Sequence, residues 1–195
     1  MPKRAESSDR HPSNTLETKL KTRSRTAYRL QQFLLAMHPP AQVVETAQVS
    51  AYLTPPQLVL FRRLQRSEQW HALIMLQKLI EAGETDPDLL TSALLHDIGK
   101  ILYPLKTWER VLIVLMKRIS PRRVERWGRE APQGLAKAFV VACQHAGWGA
   151  DLAKRAGASD LTVELIRRHE DQIPGVDTSQ AGNLLHLLRQ VDDSS

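Results

Sequence analysis

The pattern of apolar and polar positions along the chain is helical. From Tyr28 onward apolar residues recur at spacings of three and four, and no stretch alternates in the manner of a strand for more than a few residues. The sequence therefore predicts an all-α fold, a single bundle of about ten helices. We expect these helices near 29–37, 42–52, 55–66, 69–82, 87–102, 108–119, 121–127, 133–146, 149–156, 160–170 and 180–193.

Capping residues and glycines mark several ends of these helices. A residue suited to the N-cap precedes a proline suited to the first turn at three places: Thr54-Pro55, Asp86-Pro87 and Ser120-Pro121. Glycines that can end a helix follow three of the apolar patterns: Gly83, Gly128 and Gly157.

The positive charge is concentrated near the N-terminus. Residues 1–29 hold eight basic and three acidic side chains, whereas the other 166 residues hold nineteen and eighteen. Few apolar residues occur in this segment, so we expect residues 1–28 to be a basic, disordered tail and residues 29–195 to form one helical domain. The tail is interpreted either as a solubilising leader or as a segment that makes loose contacts with polyanions.

The cysteine content and the lengths of the apolar runs indicate in which cellular compartment the protein is expected. The chain has one cysteine, Cys143, which excludes an internal disulfide and a metal site built from several cysteines. The longest apolar run, Val111 to Met116, is far too short to span a membrane, and no apolar segment near the N-terminus is typical of a signal peptide. We expect a cytoplasmic protein with no membrane partner.

The segment DLLTSALLHDIGK, residues 88–100, carries the strongest indication of chemistry. An apolar helix leads into His96 and Asp97, and burying these two polar side chains is costly unless a partner satisfies them. Imidazole and carboxylate are both ligands of divalent iron, zinc and manganese. Gly99 permits close approach of backbone or substrate, and the ammonium group of Lys100 can bind a phosphate.

The run ALLHDIGK resembles the signature of the HD superfamily of metal-dependent phosphohydrolases, an all-helical family. The family pattern also contains an upstream histidine and a distant aspartate. His71 in QWHALIMLQKL matches the histidine, and Asp192 in LLHLLRQVDDSS matches the aspartate. Asp192 is preferred to Asp193 because it follows Leu188 by four residues, at the edge of the apolar face of the last helix. The resemblance covers about residues 55–193.

A second stretch, CQHAGWGADLAKRAGASDLTVELIRRHED, resembles the subgroup that has two further metal-binding histidines. In this stretch, His145 and His169 correspond to the two further histidines of the subgroup. The chain departs from the family in two places. EDQIPGVD after His169 has no Gly-Tyr-Pro element, which disfavours cyclic di-GMP hydrolysis, and Glu68 stands where relatives often have an Asp-Arg pair. The other histidines, His11, His38 and His186, are not expected to be ligands.

The resemblance implies a site for one or two divalent transition metals: iron, manganese, nickel or zinc. One ion would take His71, His96, Asp97 and Asp192. A second would take Asp97, His145 and His169, with Asp97 as the bridge, and would activate a hydroxide for attack on phosphorus. The resemblance also implies that Asp97 and Lys100 are the catalytic residues. Substrate phosphate would contact Lys100 and, from KRISPRR, Arg118, Arg122 or Arg123, although this basic cluster is equally a solvated face.

The expected function is that of a phosphohydrolase acting on a small phosphorylated substrate, a nucleotide or a related phosphomonoester or phosphodiester. The alternative is a catalytically silent signalling or scaffold module with the same fold. Binding of nucleic acid through the tail is the least favoured interpretation. Nothing in the sequence selects the substrate or the oligomeric state.

Overall fold

The all-α prediction is confirmed for the residues that the computed structural model describes, 49–171 and 177–195, which contain no strand. Eight α-helices and one 3-10 helix occur in these ranges. The α-helices are α1 Pro55–Arg62, α2 Arg66–Glu81, α3 Pro87–Leu95, α4 Thr107–Ile119, α5 Pro121–Trp127, α6 Ala136–Arg155, α7 Asp160–Arg168 and α8 Gln180–Ser194, and the 3-10 helix Ile98–Leu102 follows α3. The tail, the predicted helix 29–37, most of 42–52, His11 and His38 lie outside the described residues.

The predicted caps and stops lie at the ends of helices. Thr54, Asp86 and Ser120 are the N-caps of α1, α3 and α5. The Asp86 carboxylate accepts hydrogen bonds from the backbone N–H groups of Asp88 and Leu89. After α2 and α6 the chain turns through Gly83 and Gly157, whose φ angles of 85° and 78° favour glycine.

Two predicted helices, 133–146 and 149–156, are one continuous helix, α6. The prediction of two helices was wrong, because the chain continues in α-helical geometry through Gly147 and Gly149. A Cβ atom on Gly149 would lie only 3.2 Å from the Gly99 backbone nitrogen and 3.3 Å from Ile166 Cγ2. Gly149 therefore permits close packing of helices rather than ending one.

Two other predicted helices are shorter than expected. The helix predicted at 55–66 ends at Arg62, and α2 begins at Arg66 because the Glu68 carboxylate accepts the Gln65 N–H at 3.0 Å and so caps a new helix. The helix predicted at 87–102 leaves α-helical geometry after Leu95. Asp97 has φ −94° and ψ 0°, and the 3-10 helix follows it. The HD pair therefore lies at a break between two helices.

The main core surrounds α3. Leu89, Leu94 and Leu95 of this helix and Ile98 after it are fully buried. They pack against side chains of α1, α2, α7 and α8, among them Phe61, Met75, Ile166 and Leu188. The end of α3 is therefore held from several sides at once, which fixes the positions of His96 and Asp97.

The N-terminus of α3 is tied to α7. The Asp88 carboxylate accepts a hydrogen bond from the Thr162 hydroxyl at 2.8 Å and another from the Ser159 hydroxyl. Ser159 is the N-cap of α7, and its side chain accepts the Thr162 N–H. These bonds orient the helix that carries His169 at its end.

None of the helices in the described ranges is both long and apolar enough to cross a membrane.

Candidate metal centre

All six residues that the sequence predicts as metal ligands lie together. They form two adjacent groups, His71, His96 and Asp192 in the first and Asp97, His145 and His169 in the second, and within each group one ligand atom per residue lies within 4.8 Å of the others. The side chains come from α2, the end of α3, α6, the end of α7 and α8. These clusters can hold a metal ion.

The first group is the more open one. Asp192 Oδ1 lies 2.8 Å from His71 Nε2 and 4.0 Å from His96 Nε2. The side chains of His71 and Asp192 are 26% and 30% exposed, whereas His96 is buried. Solvent therefore reaches the centre from the side of α2 and α8. Asp193, the alternative to Asp192, is exposed.

The second group is buried. His145 Nε2 lies 3.3 Å from His169 Nε2 and 3.3 Å from Asp97 Oδ1. The other oxygen of the same carboxylate, Asp97 Oδ2, lies 3.5 Å from His96 Nε2. Asp97 thus turns one oxygen to each group, which is the placement that a bridging ligand requires.

Backbone carbonyls fix three of the histidine rings. The Nδ1 atoms of His96, His145 and His169 lie 3.0, 2.8 and 2.7 Å from the carbonyl oxygens of Ala93, Val141 and Ile166. A carbonyl oxygen can only accept, so each Nδ1 carries the proton and donates it. In the neutral ring Nε2 then bears a lone pair, as in metal-binding histidines whose other nitrogen is held by a backbone carbonyl.

Lone pairs therefore face one another in the second group. When both rings are neutral, with the proton of each on Nδ1, His145 and His169 have no hydrogen to place between their Nε2 atoms, and Asp97 Oδ1 is also an acceptor. Buried acceptors left without a donor cost about 1–3 kcal/mol each. A cation bound between them removes this cost, so the donor set fits a metal ion.

Electrostatics hold three of the six side chains, His169, Asp192 and Asp97, in the protonation states that a cation needs. Burial lowers the pKa of His169 to about 4, helped by the nearby His96 and His145, so the ring is neutral at pH 7. Burial raises the pKa of Asp192, but the contacts of the carboxylate, chiefly the hydrogen bond from His71, outweigh it and bring the value to about 2. For Asp97, too, burial is outweighed, chiefly by the charge of Lys100, and its pKa lies well below the usual value.

Lys100 lies at the edge of the centre. Its Nζ atom is 2.6 Å from Asp97 Oδ2. Burial would lower the pKa of Lys100, but the charges of Asp97 and Glu68 raise it, so the group stays an ammonium. Gly99, just before it, is tightly packed as expected: a Cβ atom there would lie 1.9 Å from the backbone oxygen of His145.

Two ion pairs beside the centre were not predicted. Glu68 is buried and pairs with Arg110 of α4, with 2.6 Å between Oε1 and Nη2. Glu170 lies 3.9 Å from His145 Nε2 through Oε1 and 3.3 Å from Lys117 Nζ through Oε2. Arg110 and Lys117 are seven residues apart, two turns on one face of α4, and this spacing is the sequence signal that could have identified them.

The arginines predicted to contact substrate phosphate have no polar contact with the described residues of the centre. Arg118, Arg122 and Arg123 are exposed, and no hydrogen bond or ion pair links them to the six clustered residues within the described ranges. Lys117 is the member of KRISPRR that reaches the edge of the centre. His186 is exposed on α8 and lies outside the two groups.

Comparisons with protein-family models, with curated proteins and with solved structures find no match. Membership of the HD superfamily therefore stays a prediction that rests on the motifs and on the arrangement of these six side chains.

Proposed function

We propose that the chain is a metal-dependent phosphohydrolase that acts on a nucleotide or a related phosphomonoester or phosphodiester. The observation that carries this proposal is the convergence of His71, His96, Asp97, His145, His169 and Asp192, with the Nε2 atoms of three buried histidines turned toward carboxylates or one another. The match of these residues to the HD pattern supplies the reaction class.

The residues divide into two ligand sets that share Asp97. His71, His96, Asp97 and Asp192 would hold one ion, and Asp97, His145 and His169 a second. Imidazoles and carboxylates without a thiolate favour iron, manganese, nickel or zinc. When bound, such ions supply Lewis acidity toward a phosphate and lower the pKa of water.

The protein itself contributes charge for binding the substrate. Lys100 offers an ammonium group beside Asp97, and Lys117 offers another beside Glu170 at the other side of the centre. Both can exchange a carboxylate partner for a phosphate oxygen, an anion of the same kind. The partly exposed side chains of His71 and Asp192 leave the opening through which a phosphate would reach the site.

The test compares the wild type with Asp97→Asn, which keeps the shape of the side chain but loses its charge. We expect purified wild type to contain a transition metal and to hydrolyse p-nitrophenyl phosphate or bis(p-nitrophenyl) phosphate. Asp97→Asn should lose most of the metal and all of this activity while circular dichroism stays helical. His186→Ala is the matched control, because this histidine is exposed on α8 and outside the cluster.

Two results would contradict the proposal. A metal-loaded wild type that hydrolyses neither ester nor any common nucleotide would indicate the silent scaffold instead. An Asp97→Asn protein with the metal content and rate of the wild type would show that the cluster is not the reacting site.

A further inference from the structure

The outward face of α4 is apolar. Five large side chains of this helix are exposed: Trp108, Val111, Val114, Leu115 and Ile119. Ile119 is 74% exposed, Leu115 51% and Trp108 50%. A surface helix normally turns its polar side to solvent, so a continuous apolar face of this kind is typical of a binding surface.

The orientation of α4 is fixed by its other side. Glu109 is buried and lies 2.8 Å from Lys137 Nζ, and Ile113 packs against the small cluster of Leu105, Ala138 and Val141. Arg110 holds the same helix to Glu68 of α2. The helix cannot rotate its apolar face inward without breaking these buried contacts.

A pocket lies beside this face. It has a volume of about 350 Å³ and is lined mostly by apolar side chains of α4, α5, α6 and the segment before α6: Leu112, Met116, Trp127, Glu130, Leu135, Ala136 and Phe139. Leu135 at its rim is 67% exposed. A ridge of apolar residues next to a concave pocket can anchor the large side chains of a bound helix.

Positive charge is concentrated in the segment that carries the ridge and part of the pocket. Residues 106–130 hold eight basic and three acidic side chains, whereas the rest of the chain from residue 30 onward holds eleven and fifteen. Five of the arginines are exposed: Arg118, Arg122, Arg123, Arg126 and Arg129. The positive charge of the helical domain is thus concentrated where its apolar residues are exposed.

We propose that the outer face of α4, with the adjacent pocket, binds an acidic amphipathic helix of another protein. An apolar stripe on that helix would cover the ridge, one or more of its side chains would enter the pocket, and flanking carboxylates would face the arginines. A second copy paired through the same face would place like charges together. A bilayer surface would leave the pocket unused.

The probe is a fluorescein-labelled synthetic helix with leucines at i, i+4, i+7 and i+11 and glutamates on both flanks. We expect it to bind the full chain, as measured by fluorescence anisotropy, and to bind more weakly as salt increases. A peptide with lysines in place of the glutamates, and one with the leucines shuffled, should each bind about 10-fold more weakly or worse.

Variants locate the binding surface. Leu115→Glu with Ile119→Glu should weaken binding by about 10-fold or more, whereas Val59→Glu, at a residue 58% exposed on α1, should not. Arg126→Glu with Arg129→Glu should weaken binding, and Lys154→Glu with Arg155→Glu, at the exposed end of α6, should have little effect. Circular dichroism and metal content check that each variant is folded.

Four results would overturn the proposal. The first is equal binding of the acidic and shuffled peptides, and the second is wild-type affinity in Leu115→Glu with Ile119→Glu. The third is binding to phosphatidylglycerol vesicles but not to the acidic peptide, which would assign the face to a membrane surface. The fourth is a dimer of the wild type in analytical ultracentrifugation that dissociates in Leu115→Glu with Ile119→Glu. That result would assign the face to a second copy of the chain.

Discussion

At the residue scale, hydrogen bonds to the backbone determine what the histidines can bind. Three of the rings donate Nδ1–H to carbonyls three or four residues earlier in the chain. This bond needs only the local helix, so each ring is oriented before any ligand arrives. The Nε2 atoms are left to meet in the centre, where no protein donor lies between His145 and His169.

The number of bound ions depends on the second group. His145→Ala or His169→Ala should lower the metal content from about two ions per chain to about one and suppress hydrolysis, because each removes a ligand that the first group does not use. Mass spectrometry of the purified proteins measures the stoichiometry. His186→Ala should change neither quantity. One ion in the wild type, retained in both variants, would contradict a dinuclear site.

Gly99 provides a second prediction at this scale. Gly99→Ala places a Cβ atom 1.9 Å from the His145 backbone oxygen, so the 3-10 helix and α6 must separate. We expect unfolding free energy to fall by about 3 kcal/mol or more in urea titrations, together with loss of metal. The control is Gly147→Ala in α6, where the nearest atom is a side-chain nitrogen 4.0 Å away. It should gain up to about 1 kcal/mol from helix propensity. Equal stabilities of the two variants would contradict this explanation.

At the scale of helices, the sequence predicted the features that depend on neighbouring residues. It did not predict those that depend on residues distant in the chain. Caps such as Asp86 and turns such as Gly157 depend on neighbouring residues, and the sequence predicted them. The continuity of α6 depends on Gly149 packing against Gly99, fifty residues away in the chain. Periodicity alone also missed the end of α3 at Leu95, so that one predicted helix was too long and α6 was predicted as two helices.

The Glu68–Arg110 pair tests how α4 is attached to α2. Arg110→Met should lower the unfolding free energy by about 3 kcal/mol, because it leaves the Glu68 carboxylate buried without its partner. Adding Glu68→Gln should restore part of this loss, which a double-mutant cycle by urea denaturation measures. In the exposed pair Arg167–Asp151, Asp151→Asn should cost less than about 1 kcal/mol. Equal losses at the two pairs would show that Glu68 is not an anchor.

At the scale of the whole molecule, the centre is assembled from residues between His71 and Asp192. The convergence of these six side chains was predictable because a motif specifies them by type and order. Lys117, Glu170 and Arg110 were not, since their positions depend on how α4 and α7 pack beside α2 and α6. The sequence thus predicted which side chains lie together in the centre, whereas its charged surroundings follow only from the fold.

This assembly predicts that a bound metal stabilises the entire domain. In the described ranges, α8 is held to α2 by the His71–Asp192 contact and by Lys78 Nζ, 3.3 Å from Ser194 Oγ. Ligand at 100 times its dissociation constant adds about 2.7 kcal/mol to stability. In a domain of this size that corresponds to about 5 °C or more in Tm. Chelation should therefore lower the Tm of the wild type by this amount, and restored metal should reverse the change. Asp97→Asn, which lacks the shared ligand, should start at the lower Tm and not respond to the chelator. Removal of the metal from the wild type without a change in Tm would mean that the six side chains hold the helices together by themselves.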